Sequence, residues 1–151
     1  MSAGPRIRVA ALILHQERVL LLRQEKAGRS YWLLPGGGVE DGEPLADALR
    51  RELEEECGIV PTAVDGPIAL AETIPPPDVA DGRHILHMIF AVGLEATGAE
   101  RLVSRDAAVL GHAFVERERL DDLDLRPPIH AYLRSYRPGD AFVALGRMWV
   151  S

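Results

Sequence analysis

Glu52, Glu54, Glu55 and Glu56 crowd the end of one segment, Pro44 to Glu56, that contains no internal helix breaker. Its Leu, Ala, Glu and Arg content favours a helix, Pro44 suits the first turn and Gly58 suits the C-terminal cap. At about 100° per residue, Leu45, Ala48, Leu49 and Leu53 share one arc, with Asp47, Arg50 and Glu54 opposite. Glu52, Glu55 and Glu56 lie on or at the border of the apolar arc. The inward face therefore turns from aliphatic to acidic along the helix, while Glu54 reads as an ordinary solvated charge. Carboxylates at i, i+3 and i, i+4 repel by a few tenths of a kcal/mol per pair, and by more where water is excluded. The negative end of the helix dipole adds to this. Arg51 is one turn before Glu55 and can pair with it, but one guanidinium does not neutralise three carboxylates. An all-oxygen donor set points to Mg2+ or Mn2+. The spacing is not that of an Asp-rich calcium loop.

Before the helix, Pro35-Gly36-Gly37-Gly38 forms a loop without side chains, whose backbone can approach a ligand or offer a carbonyl to a cation. It is not a phosphate-binding P-loop, because no Lys-Ser or Lys-Thr follows. Its meaning comes from its register with the acids. The sequence runs Gly37, five residues, Glu43, seven residues, Arg51-Glu52-Leu53, one residue, Glu55-Glu56, one residue, Gly58-Ile59. This pattern resembles the signature of the Nudix hydrolase family, matched at every defining position from Gly37 to Ile59.

The resemblance implies an α/β/α sandwich with a mixed β-sheet. It also implies a metal-dependent pyrophosphohydrolase that cleaves a nucleoside diphosphate linked to another moiety, by attack of water on phosphorus. Carried over by position, Glu52, Glu55 and Glu56 would be metal ligands and Gly37 would offer its carbonyl. Arg51 would orient a glutamate, and Glu43 would brace the loop or touch the metal shell. Such cations bridge phosphate oxygens and lower the pKa of a bound water. Glu52 is the first candidate for the base that takes the water's proton, and Glu55 the second. Many relatives add a glutamate from a later loop; here Asp106, Glu95 and Glu100 are the candidates, with surface acids as the alternative. A catalytically weak nucleotide-binding regulatory module on the same fold is the competing function. An intact, self-repelling acid set favours the enzyme.

Substrate choice would come from elsewhere. Arg23, Lys26 and Arg29 supply positive charge that either meets phosphates or is simply solvated. Tyr31 and Trp32 either stack on a base or belong to the core. His84 and His87, three apart in an expected strand, fall on opposite faces and do not suggest a shared zinc site. Pro75, sixteen residues after Ile59, resembles a feature of the ADP-ribose-cleaving branch. Nucleoside triphosphates and dinucleoside polyphosphates remain open.

The elements that must position these residues follow from apolar patterning. Ile7 to Leu14 and Arg18 to Leu22 read as two central strands joined tightly through His15-Gln16-Glu17, followed by the polar stretch Arg23 to Ser30 and a short apolar segment, Tyr31 to Leu34. Ile68 to Ile74, His84 to Leu94 and Val109 to Val115 are further strands, and Ile129 to Tyr136 is a second helix. The apolar tail, Ala141 to Val150, fits an added strand or a homodimer contact. With 151 residues, 26% charged and 47% apolar, residues 1–151 read as one globular domain. A net charge of -6 argues against broad nucleic-acid binding. The apolar run at the N-terminus is too short for a membrane span and has no cleavage site after it. The single cysteine, Cys57, fits a reducing cytoplasm.

Overall fold

The computed structural model describes residues 4–79, 82–95 and 102–149. Strands β1 (Arg6–Leu12), β2 (Leu14–His15), β3 (Arg18–Lys26), β4 (Arg29–Leu33) and β5 (Gly36–Gly38) precede helix α1 (Leu45–Cys57). Then come β6 (Ala63–Thr73), β7 (Ile85–Gly93), β8 (Gly111–Glu116), a 3-10 turn (Arg117–Asp122), α2 (His130–Ser135) and β9 (Val143–Met148).

Two sheets form. One has the order β5-β1-β7-β6-β9 and is mixed, with β1 parallel to β7, β6 parallel to β9, and antiparallel pairing elsewhere. The other is built on β3, which pairs with β2, β4 and β8. The two apolar strands expected at the start are thus central in different sheets, and β2 makes the tight connection between them.

Alternation along β1 and β3 explains the layering, since successive side chains point to opposite faces. Val9, Ala11, Ile13, Leu20 and Leu22 pack with Ala48, Leu49 and Leu53 of α1. Ala10, Leu12, Val19 and Leu21 pack with Leu120, Leu125, Ile129 and Leu133 around α2. Both faces are buried, so these strands are continuously apolar and a helix covers each side: an α/β/α sandwich.

Several expectations shift in detail. The basic stretch Arg23 to Ser30 is a hairpin, because Ala27 (φ 53) and Gly28 (φ 77) both take the left-handed conformation that a two-residue turn requires. Pro44 caps α1 from an extended conformation, one position outside the helix, and Gly58 closes it at φ 67. β6 starts five residues before Ile68, passing an irregularity at Gly66-Pro67. The tail forms β9, the edge strand beside β6. No helix among the described residues is long and apolar enough to cross a membrane.

Candidate active site

The buried face of α1 carries its acids to the glycine strand. Glu56 is 2% exposed, and its Oε1 accepts the Gly36 N–H at 2.7 Å. Burial pushes its carboxyl up to about 7, against the pull of that N–H and of Arg8. Glu52 is also raised by burial, with Arg51 opposing the shift. Its carboxylate lies against the Gly37 α-carbon, in the space a Cβ on residue 37 would occupy. A glycine is required here because an acid is packed where a side chain would be.

Arg51 ties the parts together. Its Nε and Nη2 donate to the two oxygens of Glu43, each at 2.9 Å, Nη2 also reaches the Gly38 carbonyl at 3.1 Å, and Nη1 donates to Glu52 Oε1 at 2.9 Å. Glu55 is farther away, 3.9 Å from Nη1, and half exposed. The Arg51 hydrogen bonds hold the Glu43 carboxyl down at about 2, and Glu43 also accepts the Glu40 N–H. Glu43 therefore braces the loop and Arg51 directs Glu52, a planar fork that Lys could not reproduce.

A distant segment secures the acidic end of α1. The Val103 and Arg105 N–H groups donate to the Cys57 and Glu55 carbonyls at 2.8 and 2.7 Å, and His112 Nε2 donates to the Glu56 carbonyl at 2.8 Å. These are the carbonyls that a helix end leaves without partners. Asp106 follows in the same segment, near enough to Glu56 to raise its carboxyl further, while its own Oδ1 accepts the Ala108 N–H. Glu95 is exposed, and Glu100 lies outside the described residues. Burial pushes the Cys57 thiol up to about 12, which leaves it chemically quiet.

Among the described residues no three His, Cys, Asp or Glu side chains converge as a ready metal cage. The donor chemistry nevertheless fits a hard divalent cation. The nearby groups are carboxylates, two of them carry burial-raised pKa values, and a positive charge would relieve both.

On the other side of Arg8 a cavity of about 630 Å³ opens. Arg8 pairs with Gly38 on β5 and with His87 on β7, so it stands between the glycine strand and the cavity. Burial lowers its pKa while Glu56 and Glu52 raise it. His87, buried, meets Thr73 Oγ1 at 3.0 Å, and burial with Arg8 nearby pushes its pKa down to about 4, so the imidazole is neutral. Tyr31 donates to Gln24 Oε1 and lies under the Arg126 guanidinium, 4.9 Å from the ring centre.

Of the residues expected to meet substrate, Lys26, Arg29 and Tyr31 line this cavity. Trp32 faces the other way and packs with the α2 core, because alternation along β4 gives it the opposite side from Tyr31. Arg23 is exposed beside Gly111, and Pro75 packs against Gly82; neither lines the cavity. His84 meets Glu72 at 2.6 Å, apart from His87. Arg8, Arg126 and Trp149 line the cavity without having been singled out in the sequence. Arg8 had a signal, as a charge directly before the apolar run of β1.

The family model described as the NUDIX domain matches residues 4–136. The chain belongs to the Nudix hydrolase family. Among its relatives is the nucleoside triphosphatase NudI of Enterobacter sp. (strain 638), 39% identical over 97 residues, covering 62% of this chain and 67% of that protein. NudI of Escherichia coli O139:H28 (strain E24377A / ETEC) is 35% identical over 106 residues, covering 68% and 74%. Among solved structures, the MutT NUDIX hydrolase of Burkholderia pseudomallei superposes with a TM-score of 0.70 at 25% identity, over 89% of this chain and all of that one. The MutT protein of Bacillus halodurans shares the fold, with a TM-score of 0.72 at 15% identity over 93% and 89% of the two chains. This Nudix chain is accordingly a hydrolase of phosphorus-containing anhydrides in a family that acts on nucleotides and generally works with divalent cations.

Proposed function

We propose that the protein is a Mg2+- or Mn2+-dependent nucleotide pyrophosphohydrolase, with nucleoside triphosphates as its first substrate class, and that residues 1–151 act as one domain in the cytoplasm. The triphosphate preference takes its support from the activity named for the NudI relatives. ADP-ribose and dinucleoside polyphosphates are the other members of the class to be tried.

The observation that carries this reading is the packing of the Glu52 carboxylate onto Gly37, with Arg51 fixing its direction and Glu56 one turn beyond. Glu52, Glu55, Glu56 and the Gly37 carbonyl would hold the cations. When bound, these supply charge neutralisation of the phosphates and a water of lowered pKa. Arg51 keeps one oxygen of Glu52 engaged and leaves the other to receive the proton of the attacking water, which makes Glu52 the base of first choice and Glu55 the second. Half-exposed Glu55 can turn toward the loop without breaking a short contact. Glu56 is anchored by Gly36 through one oxygen and presents only the other. Arg8 offers a positive charge on the path from the glycine strand to the cavity.

The test is a panel of nucleoside triphosphates, ADP-ribose and diadenosine polyphosphates with Mg2+ or Mn2+, run beside Glu56→Gln. At least one compound should be cleaved between phosphates, and the variant should lose roughly 10²-fold or more in kcat. Tight nucleotide binding that needs no metal, without turnover of any compound, would instead make the protein a nucleotide-sensing module.

A further inference from the structure

One wall of the cavity comes from outside the segment that defines the family. The domain match ends at residue 136, and the chain continues through β9 to Trp149, which lines the cavity together with Arg8 and His87. The register fixes where it arrives. Met148 pairs with Thr73, and Thr73 pairs with Ile85, so Trp149 emerges just beyond the residue that holds His87. In the order β5-β1-β7-β6-β9 the glycine strand and the tail occupy opposite edges. Four strand spacings of about 4.8 Å, together with four register steps of about 3.3 Å between the level of Gly37 and that of Trp149, put the two roughly 23 Å apart. Phosphates handled at Gly37 and Glu52 are out of reach of Trp149. The other end of an extended nucleotide is not.

Trp149 is 36% exposed and belongs to neither hydrophobic core, so packing alone does not account for a large aromatic at this rim. The chemistry around it suits a base. Among the described residues lining the cavity there is no Asp or Glu, whereas Lys26 and Arg126, the latter also paired with Asp124, carry N–H groups of the kind that ring nitrogens and carbonyl oxygens accept. An indole supplies the stacking surface, which tolerates any base because every base has a π-face. We propose that Trp149 is a substrate-binding residue that stacks on the nucleobase while the phosphates run past Arg8 to the glycine strand. This rests on the nucleotide reading given above.

Two measurements test it. In steady-state kinetics on the cleaved nucleotide, Trp149→Ala should raise KM about tenfold or more with kcat within about twofold, and Trp149→Phe should recover most of the loss. In metal-free titrations followed by tryptophan emission, nucleoside 5′-monophosphates should quench the wild-type signal and ribose 5-phosphate should not. Most of that quench should vanish in Trp149→Phe, although Trp32 remains. An unchanged KM in Trp149→Ala overturns the assignment, as does a monophosphate quench that survives intact in Trp149→Phe. If the wild type cleaves no nucleotide, the functional reading fails by itself. The quenching experiment then still decides whether Trp149 meets a base.

Discussion

The glycine strand and α1 meet through residues near one another in sequence, from Gly36 to Glu56, with Arg51 making contacts to Glu43, Gly38 and Glu52. The cavity beyond Arg8 takes its walls from β1, the β3–β4 hairpin, β6, β7, the segment after the 3-10 turn and the tail. The first region is a short-range device whose geometry tolerates little change. The second is a meeting of distant segments, each of which can vary without disturbing the others. A family can hold its chemistry constant in the one and alter its substrate in the other.

The sharpest way to break this contrast is Gly37→Ala. The new methyl would displace the Glu52 carboxylate, which is the movable end of a side chain, so the fold should survive. We expect kcat to fall by roughly 10-fold or more, as for other misplaced groups at a reacting centre, with little change in melting temperature. A large loss of stability with kcat intact in the folded fraction would show that Gly37 serves the fold and not the site.

A second, intermediate effect belongs to the cavity. His87 is neutral in the fold, with its pKa lowered from 6.5 to about 4, so below about pH 6.5 the unfolded chain binds a proton that the folded chain refuses. Its share of stability is complete above pH 6.5 and declines as pH falls toward 4, by an amount on the order of 3 kcal/mol. His87→Gln should flatten that part of a denaturation-midpoint profile. An unaltered slope between pH 6.5 and 4 would sink this assignment.

The smallest effect separates two neighbouring cations. Lys26→Ala should raise the nucleotide KM several-fold, as expected for one exposed charge near an anion, while Arg23→Ala should leave it within about twofold. Equal responses would mean that both act only through the long-range field of the protein.

The same contrast explains what could be read from residues alone. Helical periodicity separated Glu54 from Glu52, Glu55 and Glu56; Glu52 and Glu56 do turn inward, whereas Glu55, at the border of the apolar arc, is about as exposed as Glu54. The glycines were legible because their spacing to Arg51 is fixed. Most strands could be located from apolar runs. Their division between two sheets could not, since Ile7 to Leu14 and Arg18 to Leu22 have the same pattern and differ only in their partners. Tyr31 and Trp32 looked equivalent until strand alternation assigned one to the cavity and the other to the α2 core. Nothing local to Trp149 or Arg126 tells that they share a wall, because tertiary pairing brings them together. The strap from Val103 to His112 across the end of α1 was equally invisible, as two of its donors are backbone N–H groups that carry no residue code and the third, the His112 side chain, lies 56 residues from its acceptor.

Strand β1 has a consequence for how the protein can change over time. Its odd positions fill one core, its even positions fill the other, and Arg8 follows the even set toward the cavity. Sliding the strand by a single residue would reverse all of these assignments together and turn the charge of Arg8 toward the aliphatic side of α1. Lengthening or shortening by one residue is thus closed to this segment, whereas side-chain replacement within each set stays open. The strand works as a vernier: greasy packing on two sides fixes, to within one pleat, where the charge of Arg8 stands.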